Sequence, residues 1–203
     1  MPLKSVMQRL GKLKTIVWDV DDVLNDLMGS WFFLWCQDHP GCAVAYEDLK
    51  ENPPHEILGI TVDSYLHSLD TFRLSPAYQN MAPIKEVKDW FFQNGSRFRH
   101  MALTAVPLRA ASFSAQWVFR NFGVWIRAFH FVPSKRKDET IPQYDRDKAD
   151  VLQHLGPVDF FIDDKAEHVV AARNAGINAL FFPRPWTHSV MTITETLARL
   201  QDR

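Results

Sequence analysis

Short apolar runs alternate with longer amphipathic stretches along most of the chain, which is typical of strands that alternate with helices. We predict strands over the apolar runs Thr15–Trp18, Phe98–Leu103, Trp125–Phe131, Asp159–Ile162 and Asn178–Phe182. We predict helices over the stretches with helical spacing, Ile84–Gln93, Arg109–Asn121, Lys148–Leu155, Ala166–Ala175 and Val190–Leu200. This order predicts an α/β fold, with a Rossmann-like parallel sheet flanked by helices.

One region departs from this rhythm. Between Leu24 and Met81 there is no strand pattern, but there are many aromatic side chains. Because so long a structureless loop would be unusual, we predict a small helical cap domain over residues 25–81. Residues 1–24 and 82–203 then form the core domain. Most aromatic side chains of the contiguous run 31–35 are expected to pack within the cap, and segment 133–146 is expected to be a surface loop.

Composition narrows the class of partner. Of the 203 residues, 46% are hydrophobic and 23% charged, as in ordinary globular domains. Lys and Arg total 23 against 24 Asp and Glu, a balance that favours a small substrate over a nucleic-acid polymer. Cys36 and Cys42 lack further zinc ligands and are interpreted as reduced thiols. Without a secretory-signal pattern or a membrane-spanning apolar stretch, a cytoplasmic location and no membrane partner are expected.

Candidate chemistry lies where the apolar runs end. Asp19 and Asp21 follow the first run, Thr104 follows the second, and Asp163 and Asp164 follow the fourth. Ligands of open parallel sheets bind beyond the carboxyl ends of the strands, so these side chains are expected to converge. Converging carboxylates need a cation such as Mg²⁺, which in turn suits a phosphate substrate. Each feature alone is also explained by structure, since Asp can simply cap the following helix.

Four segments, taken in order, resemble the motifs of the haloacid dehalogenase (HAD) superfamily. TIVWDVDDVLND resembles the first motif, and HMALTA the second, a strand that ends in Thr or Ser. RDKADVLQHLG places a lysine where the third motif has one, and VDFFIDDKAEHVVAARNAGINAL resembles the fourth. The match covers the core from about Thr15 to Phe182. The cap contains no motif of this kind.

The resemblance implies a magnesium-dependent phosphatase that forms an aspartyl-phosphate. Asp19 would be the nucleophile, and Asp21 the general acid and then the general base. Thr104 and Lys148 would bind the transferring phosphoryl group, and Lys148 would also hold the charge of Asp19. The resemblance implies metal ligation by four residues, directly or through water: Asp19, Asp21, Asp163 and Asp164.

Two features depart from the family pattern. Asp22 stands where many members have glycine, so the turn after the first motif is expected to differ from the family pattern. Lys135 and Lys137 compete with Lys148 for the role of the third-motif lysine. We favour Lys148 because it opens a helix before the fourth run, and interpret the other two lysines as a solvated surface cluster.

The cap and its surroundings bear on the branch of the superfamily and on the substrate. The position of the cap is that of the C1 type, and its size and the stretch Trp117–Gly123 are weakly similar to the 5'(3')-deoxyribonucleotidase group. That similarity implies a nucleoside monophosphate, with small sugar or acid phosphates as the alternative. A catalytically silent HAD-like binding protein, a receiver domain and a dehalogenase are other classes; Asp19 together with Asp21 favours the phosphatase. His168 and His188 show no ligand spacing and are expected at the surface or in the core.

Overall fold

A computed structural model describes residues 13–201, and the terminal residues predicted as part of the core, 1–12 and 202–203, lie outside the described residues. A five-stranded, fully parallel sheet organises the chain. Its strands, in the spatial order β3-β2-β1-β4-β5, are β1 (Thr15–Trp18), β2 (Arg99–Val106), β3 (Ile126–Pro133), β4 (Phe160–Asp163) and β5 (Ala179–Phe181). The predicted α/β fold class is confirmed.

Helices cover both faces of this sheet. They are α1 (Leu27–Asp38), α2 (Val62–Arg73), α3 (Pro76–Gln79), α4 (Lys85–Asn94), α5 (Leu108–Phe122), α6 (Lys148–His154), α7 (Ala166–Asn174) and α8 (Ile193–Ala198). Ile16 and Trp18 of β1 face a core that includes α4 and α5, whereas Val17 faces α6 and α7. Side chains of β1 alternate between two apolar layers, as a central parallel strand requires.

The second strand is longer than predicted. It continues through Thr104 to Val106 because Thr104, Ala105 and Val106 pair with Phe131, Val132 and Pro133 of β3. The polar Thr104 therefore lies inside the strand, near its carboxyl end. Its side chain is nevertheless almost fully buried against the cavity described below.

Helices α1 to α3 occupy residues 25–81, which we call the cap segment. The chain enters and leaves this segment side by side, since Asn25 bridges Pro83 and the Ile84 amide donates to the Leu24 carbonyl at 3.0 Å. Of its contiguous aromatic run, Phe33 is 64% exposed, whereas the three others are buried: Trp31, Phe32 and Trp35. Within residues 13–201, no helix is long and apolar enough to cross a membrane.

Candidate active site

A cavity of about 280 Å³ lies at the carboxyl ends of the central strands, beneath the cap segment. Five of the six predicted site residues line it: Asp19, Asp21, Thr104, Lys148 and Asp164. The sixth, Asp163, is completely buried behind the wall. The cap segment closes the other side, largely with Leu27, Met28, Tyr65, Leu66, Leu69 and Arg73. Among the described residues, Tyr65 is the only Phe, Tyr or Trp in the wall.

Lys148 sits between two carboxylates. Its Nζ lies 2.7 Å from Asp19 Oδ1 and 2.7 Å from Asp163 Oδ2, and the side chain is almost fully buried. The side chain of Asp147 fixes this position by accepting from the amides of Ala149 and Asp150, so that α6 begins at Lys148. Burial alone would lower the pKa of Lys148, but the two carboxylates raise it above its ordinary value. The lysine is therefore a fixed positive charge beside Asp19.

The two carboxylates differ in their surroundings. Burial raises the pKa of Asp19 well above its ordinary value, Lys148 opposes this, and the charges of Asp163 and Asp164 add to it. Burial also raises the pKa of Asp163, but Lys148 and His168 outweigh it and hold that pKa below its usual range. Asp163 is thus a buried anion that holds Lys148, and Asp19 is the carboxylate that faces the cavity.

His168 is a residue that the sequence interpretation missed. Its Nδ1 lies 3.1 Å from both carboxylate oxygens of Asp163, and the residue lines the cavity from the first turn of α7. Ligand atoms of Asp19, Asp163 and His168 lie within 4.8 Å of one another. The spacing was visible in the sequence, because a residue five positions after a strand-end acid falls in the first turn of the next helix.

Asp164 and Asp22 form a second acidic group in the wall. Burial raises the pKa of each carboxyl; the charge of Asp163 adds to the effect at Asp164, and that of Asp164 adds to it at Asp22. Asp164 Oδ2 accepts a hydrogen bond from Trp186 Nε1 at 2.8 Å, which orients the carboxylate. Acids gathered in this way are destabilised as anions, and a bound divalent cation would relieve that strain.

Asp21 is held by three donors of the cap segment. Asn25 Nδ2 and Tyr78 Oη donate to its Oδ1 at 3.1 and 3.0 Å, and Arg73 Nε donates to its Oδ2 at 3.1 Å. Tyr78 and Arg73 reach Asp21 across more than fifty residues of sequence. No local motif could have indicated either contact, whereas Asn25 lies only four residues away.

Asp22 adopts a left-handed conformation, with φ of 64°. This is a region that glycine occupies freely and that Asp tolerates better than most residues, so the turn keeps a glycine-like path. Arg184 supports it by donating to the carbonyls of Asp22 at 2.6 Å and Asn25 at 3.1 Å, and to Asp26 Oδ1 at 3.0 Å. Asp22 Oδ1 in turn accepts from the Met28 amide at 2.8 Å.

Among the described residues, Asp19 forms an ion pair with Lys148 and with neither of the two alternative lysines. Lys137 is 85% exposed and pairs with Asp63 on α2, as expected for a surface residue. Lys135 is exposed but lines the cavity, so the interpretation of it as purely surface was incomplete. Arg136, between them, turns inward and binds Asp70 through two hydrogen bonds of 2.6 and 2.9 Å. Segment 133–146 therefore is not only a surface loop.

Solved structures provide the comparison with known proteins. A haloacid dehalogenase-like hydrolase from Streptococcus pneumoniae superposes with a TM-score of 0.60 at 12% identity, covering 93% of this chain and 97% of that one. A candidate phosphoglycolate phosphatase from Lactobacillus delbrueckii gives 0.59 at 15% identity, covering 94% and 98%. A magnesium-bound candidate HAD-hydrolase from Bacillus subtilis gives 0.52 at 13% identity, covering 93% and 96%.

Sequence comparison gives no further relative, since no protein-family profile and no curated protein matches the chain. The similarity is thus one of structure, and it extends over almost the whole of both chains in each pair. The chain has the fold of the haloacid dehalogenase-like hydrolases, as its sequence motifs predicted.

Proposed function

We propose that the protein is a magnesium-dependent phosphatase that hydrolyses a small phosphate monoester through an aspartyl-phosphate on Asp19. The observation that carries the proposal is the buried Lys148 ammonium, 2.7 Å from Asp19 Oδ1 in the wall of the cavity. A fixed cation beside a carboxylate nucleophile lessens its repulsion of an incoming phosphate and stabilises charge during transfer. Catalysis of phosphoryl transfer needs mainly this kind of positioning.

Two steps complete the reaction. In the first, a carboxylate oxygen of Asp19 forms a bond to phosphorus while the ester oxygen departs and receives a proton from Asp21. In the second, Asp21 removes a proton from water, whose oxygen attacks the phosphorus and releases phosphate and the Asp19 carboxylate. Thr104 and Lys148 bind the phosphoryl oxygens in both steps. Both walls of the cavity contribute, since Asp21 is held by the cap segment and Lys148 by the sheet.

The donor set fits Mg²⁺. Oxygen ligands from Asp19, Asp164 and the backbone carbonyl of Asp21 would hold it, and Asp163 would support it indirectly. Asp163 is unsuited to direct ligation because Lys148, His168 and the Lys165 amide already occupy its oxygens. The space among Asp19, Asp163 and His168 likewise holds the Lys148 ammonium. The bound ion would neutralise phosphate charge.

The substrate is proposed to be small. Most cap aromatic residues pack against one another, and Tyr65 alone among them reaches the cavity wall. Lys135 and Lys165 add positive charge at the wall and suit a sugar or acid phosphate. A nucleoside monophosphate, the other substrate predicted from the sequence, would have to stack its base on Tyr65. A cytoplasmic location and the division into core and cap domains remain predictions.

The test is phosphate release from a panel of esters, with Mg²⁺ or with EDTA. The panel comprises nucleoside 5'- and 3'-monophosphates, sugar phosphates and phosphorylated acids. We expect release that requires Mg²⁺ and is abolished by Asp19→Asn, which keeps the shape of the side chain but removes the nucleophile. The matched control is Asp26→Asn, a change in the neighbouring turn outside the cavity wall, which should retain most activity.

Three results would contradict the proposal. Substantial turnover by Asp19→Asn would exclude the nucleophile, and full activity in EDTA would exclude the metal. No release from any ester would favour the alternative of a catalytically silent HAD-like binding protein. If nucleoside monophosphates are the best esters and Tyr65→Ala selectively raises their KM, the cap segment reads a base.

A further inference from the structure

Asp70, near the carboxyl end of α2, is a buried carboxylate surrounded by three arginines. Arg73 Nη1 donates to it at 3.1 Å, Arg109 Nη2 at 3.2 Å, and Arg136 at 2.6 and 2.9 Å. Asp70 is 3% exposed, and its arginine partners hold its pKa below the ordinary value although burial raises it. Removing one partner from a buried, paired charge is costly.

The three arginines come from different parts of the fold. Arg73 belongs to α2 of the cap segment, as Asp70 does, whereas Arg109 lies in the first turn of α5 and Arg136 in the loop after β3. The contacts of Asp70 with Arg109 and Arg136 therefore bind the cap segment to the core. Arg109 is held in place by further contacts with Asp138 and Glu139. Asp70 is thus an anchor between cap segment and core.

The same anchor reaches the cavity through Arg73. Its guanidinium is almost completely buried and bridges two carboxylates, with Nη1 on Asp70 and Nε on Asp21 Oδ2. The planar fork of an arginine fixes the relative positions of two such partners, which a flexible lysine does not. The position of Asp21 Oδ2 is consequently tied to the position of the Asp70 anchor.

Asp21 has limited freedom to carry a proton. Its Oδ1 accepts from Asn25 and Tyr78, which fills the two acceptor sites of that oxygen. Within residues 13–201, its Oδ2 accepts only from Arg73, which leaves one acceptor site for a proton. Asn25 and Tyr78 therefore leave Oδ2 as the oxygen that carries the transferable proton, and Arg73 fixes where that oxygen lies.

We propose that Arg73 is a positioning residue for Asp21, held in place by the Asp70 anchor between cap segment and core. This inference rests on the proposed phosphatase function, in which Asp21 protonates the leaving oxygen. Loss of Arg73 then harms turnover in proportion to how much the leaving group needs that proton. An aryl oxide that departs readily needs it little, and an alkoxide needs it greatly.

The experiment compares kcat/KM for 4-nitrophenyl phosphate with kcat/KM for benzyl phosphate, two esters of similar size. We expect Arg73→Gln to raise the ratio of the first to the second by about tenfold or more, because general acid catalysis contributes on the order of a hundredfold or more. Asp70→Asn and the milder Arg109→Gln should raise the ratio in the same direction. In an Asp21→Asn background, Arg73→Gln should add nothing to the ratio.

The matched control is Arg173→Gln. Arg173 also makes two hydrogen bonds through its guanidinium, to the Ala179 carbonyl at 3.0 and 2.8 Å, but it is exposed and lies outside the cavity wall. A general loss of structure would lower kcat/KM for both esters by the same factor in every variant, and their ratio would not change. An unchanged ratio in Arg73→Gln, or an increase that persists without Asp21, would overturn the positioning role.

A second readout does not depend on turnover. Asp70→Asn and Arg109→Gln should accelerate amide hydrogen exchange in α2, relative to wild type and to Arg173→Gln, because the link to the core is weakened. Unchanged exchange in α2 would overturn the anchor. If wild type hydrolyses neither these two esters nor any ester of the panel, or if Asp19→Asn hydrolyses them as fast as wild type, the proposed function fails, and the exchange result still decides the anchor.

Discussion

The two carboxylates that follow β1 are held by different parts of the molecule. Asp19 is paired with Lys148 of the core, and its amide donates to the Ile162 carbonyl of β4 at 2.9 Å. Asp21, two residues later, takes its three side-chain hydrogen bonds from Asn25, Arg73 and Tyr78 of the cap segment. The sheet side of the candidate site thus surrounds Asp19, and the cap side surrounds Asp21.

This difference has a physical meaning. Strand pairing fixes the backbone beside Asp19, so its surroundings change only if the sheet deforms. The surroundings of Asp21 depend on two helices of the cap segment and on the Asp70 anchor. Variants on the sheet side should therefore lower kcat/KM for every phosphate ester. Variants on the cap side should lower it most for esters with poor leaving groups.

Lys148→Ala, on the sheet side, is expected to lower activity more than the other variants of this comparison. We expect kcat/KM to fall by about a hundredfold or more for 4-nitrophenyl and benzyl phosphate alike, as when one preorganised donor to a transition state is removed. Lys135→Ala, the matched change in the cavity wall, should reduce it much less. Urea unfolding checks that Lys148→Ala remains folded, since it leaves Asp19 and Asp163 without their cation. A greater loss in Lys135→Ala would reverse our assignment of the lysine.

Tyr78→Phe should have a smaller and selective effect. It removes one of two donors to Asp21 Oδ1 and leaves the ring in place, so we expect benzyl phosphate turnover to fall about tenfold. Turnover of 4-nitrophenyl phosphate should fall less. Tyr46→Phe is the control, because its hydroxyl also donates to a carboxylate of the cap segment, Asp26, outside the cavity wall. Equal losses for both esters would break the distinction between the two sides.

The sheet side can also be tested without substrate, through His100. Its Nδ1 accepts from Trp18, next to Asp19, and its Nε2 donates to the Gly95 carbonyl at 2.8 Å. Burial lowers the pKa of His100 to about 4. Between pH 4 and 6.5 the unfolded chain binds a proton there that the folded chain does not, so falling pH destabilises the fold.

Over that range the loss should approach about 3 kcal/mol in the free energy of unfolding. Urea titrations at a series of pH values would measure it. His100→Gln should be less stable at pH 7 but should lose less stability on acidification. If the free energy of unfolding depends on pH in the same way in wild type and in His100→Gln, then His100 is not the group that titrates.

Much of the sheet side could be predicted from sequence. β1 has the predicted bounds, and the other strands begin within one residue of prediction, because buried parallel strands are continuous apolar runs. Lys148 was located by its place at the start of a helix, and Asp147 gives the reason as its cap. The extension of β2 to Val106 was missed because pairing with β3, not composition, stabilises it.

The cap side was mostly beyond prediction. A helical segment could be expected from its length and aromatic content, but Arg73 and Tyr78 look like ordinary helix residues in the sequence. Their role follows from folding over distances of 52 and 57 residues onto Asp21. His168 was missed although its spacing from Asp163 is visible in the sequence. The inward position of Arg136 was missed because it lies in a run of charged residues, which is typical of a surface loop.

The central place of β1 also determines when during synthesis the site can form. β1 occupies residues 15–18, yet its neighbours in the sheet are β2, which ends at residue 106, and β4, which ends at residue 163. Arg184, which supports the turn after Asp19 and Asp21, comes later still. A nascent chain must therefore keep its apolar first strand out of wrong pairings while most of the sequence emerges from the ribosome. Chaperone binding to this strand would therefore matter most before residue 163 is made.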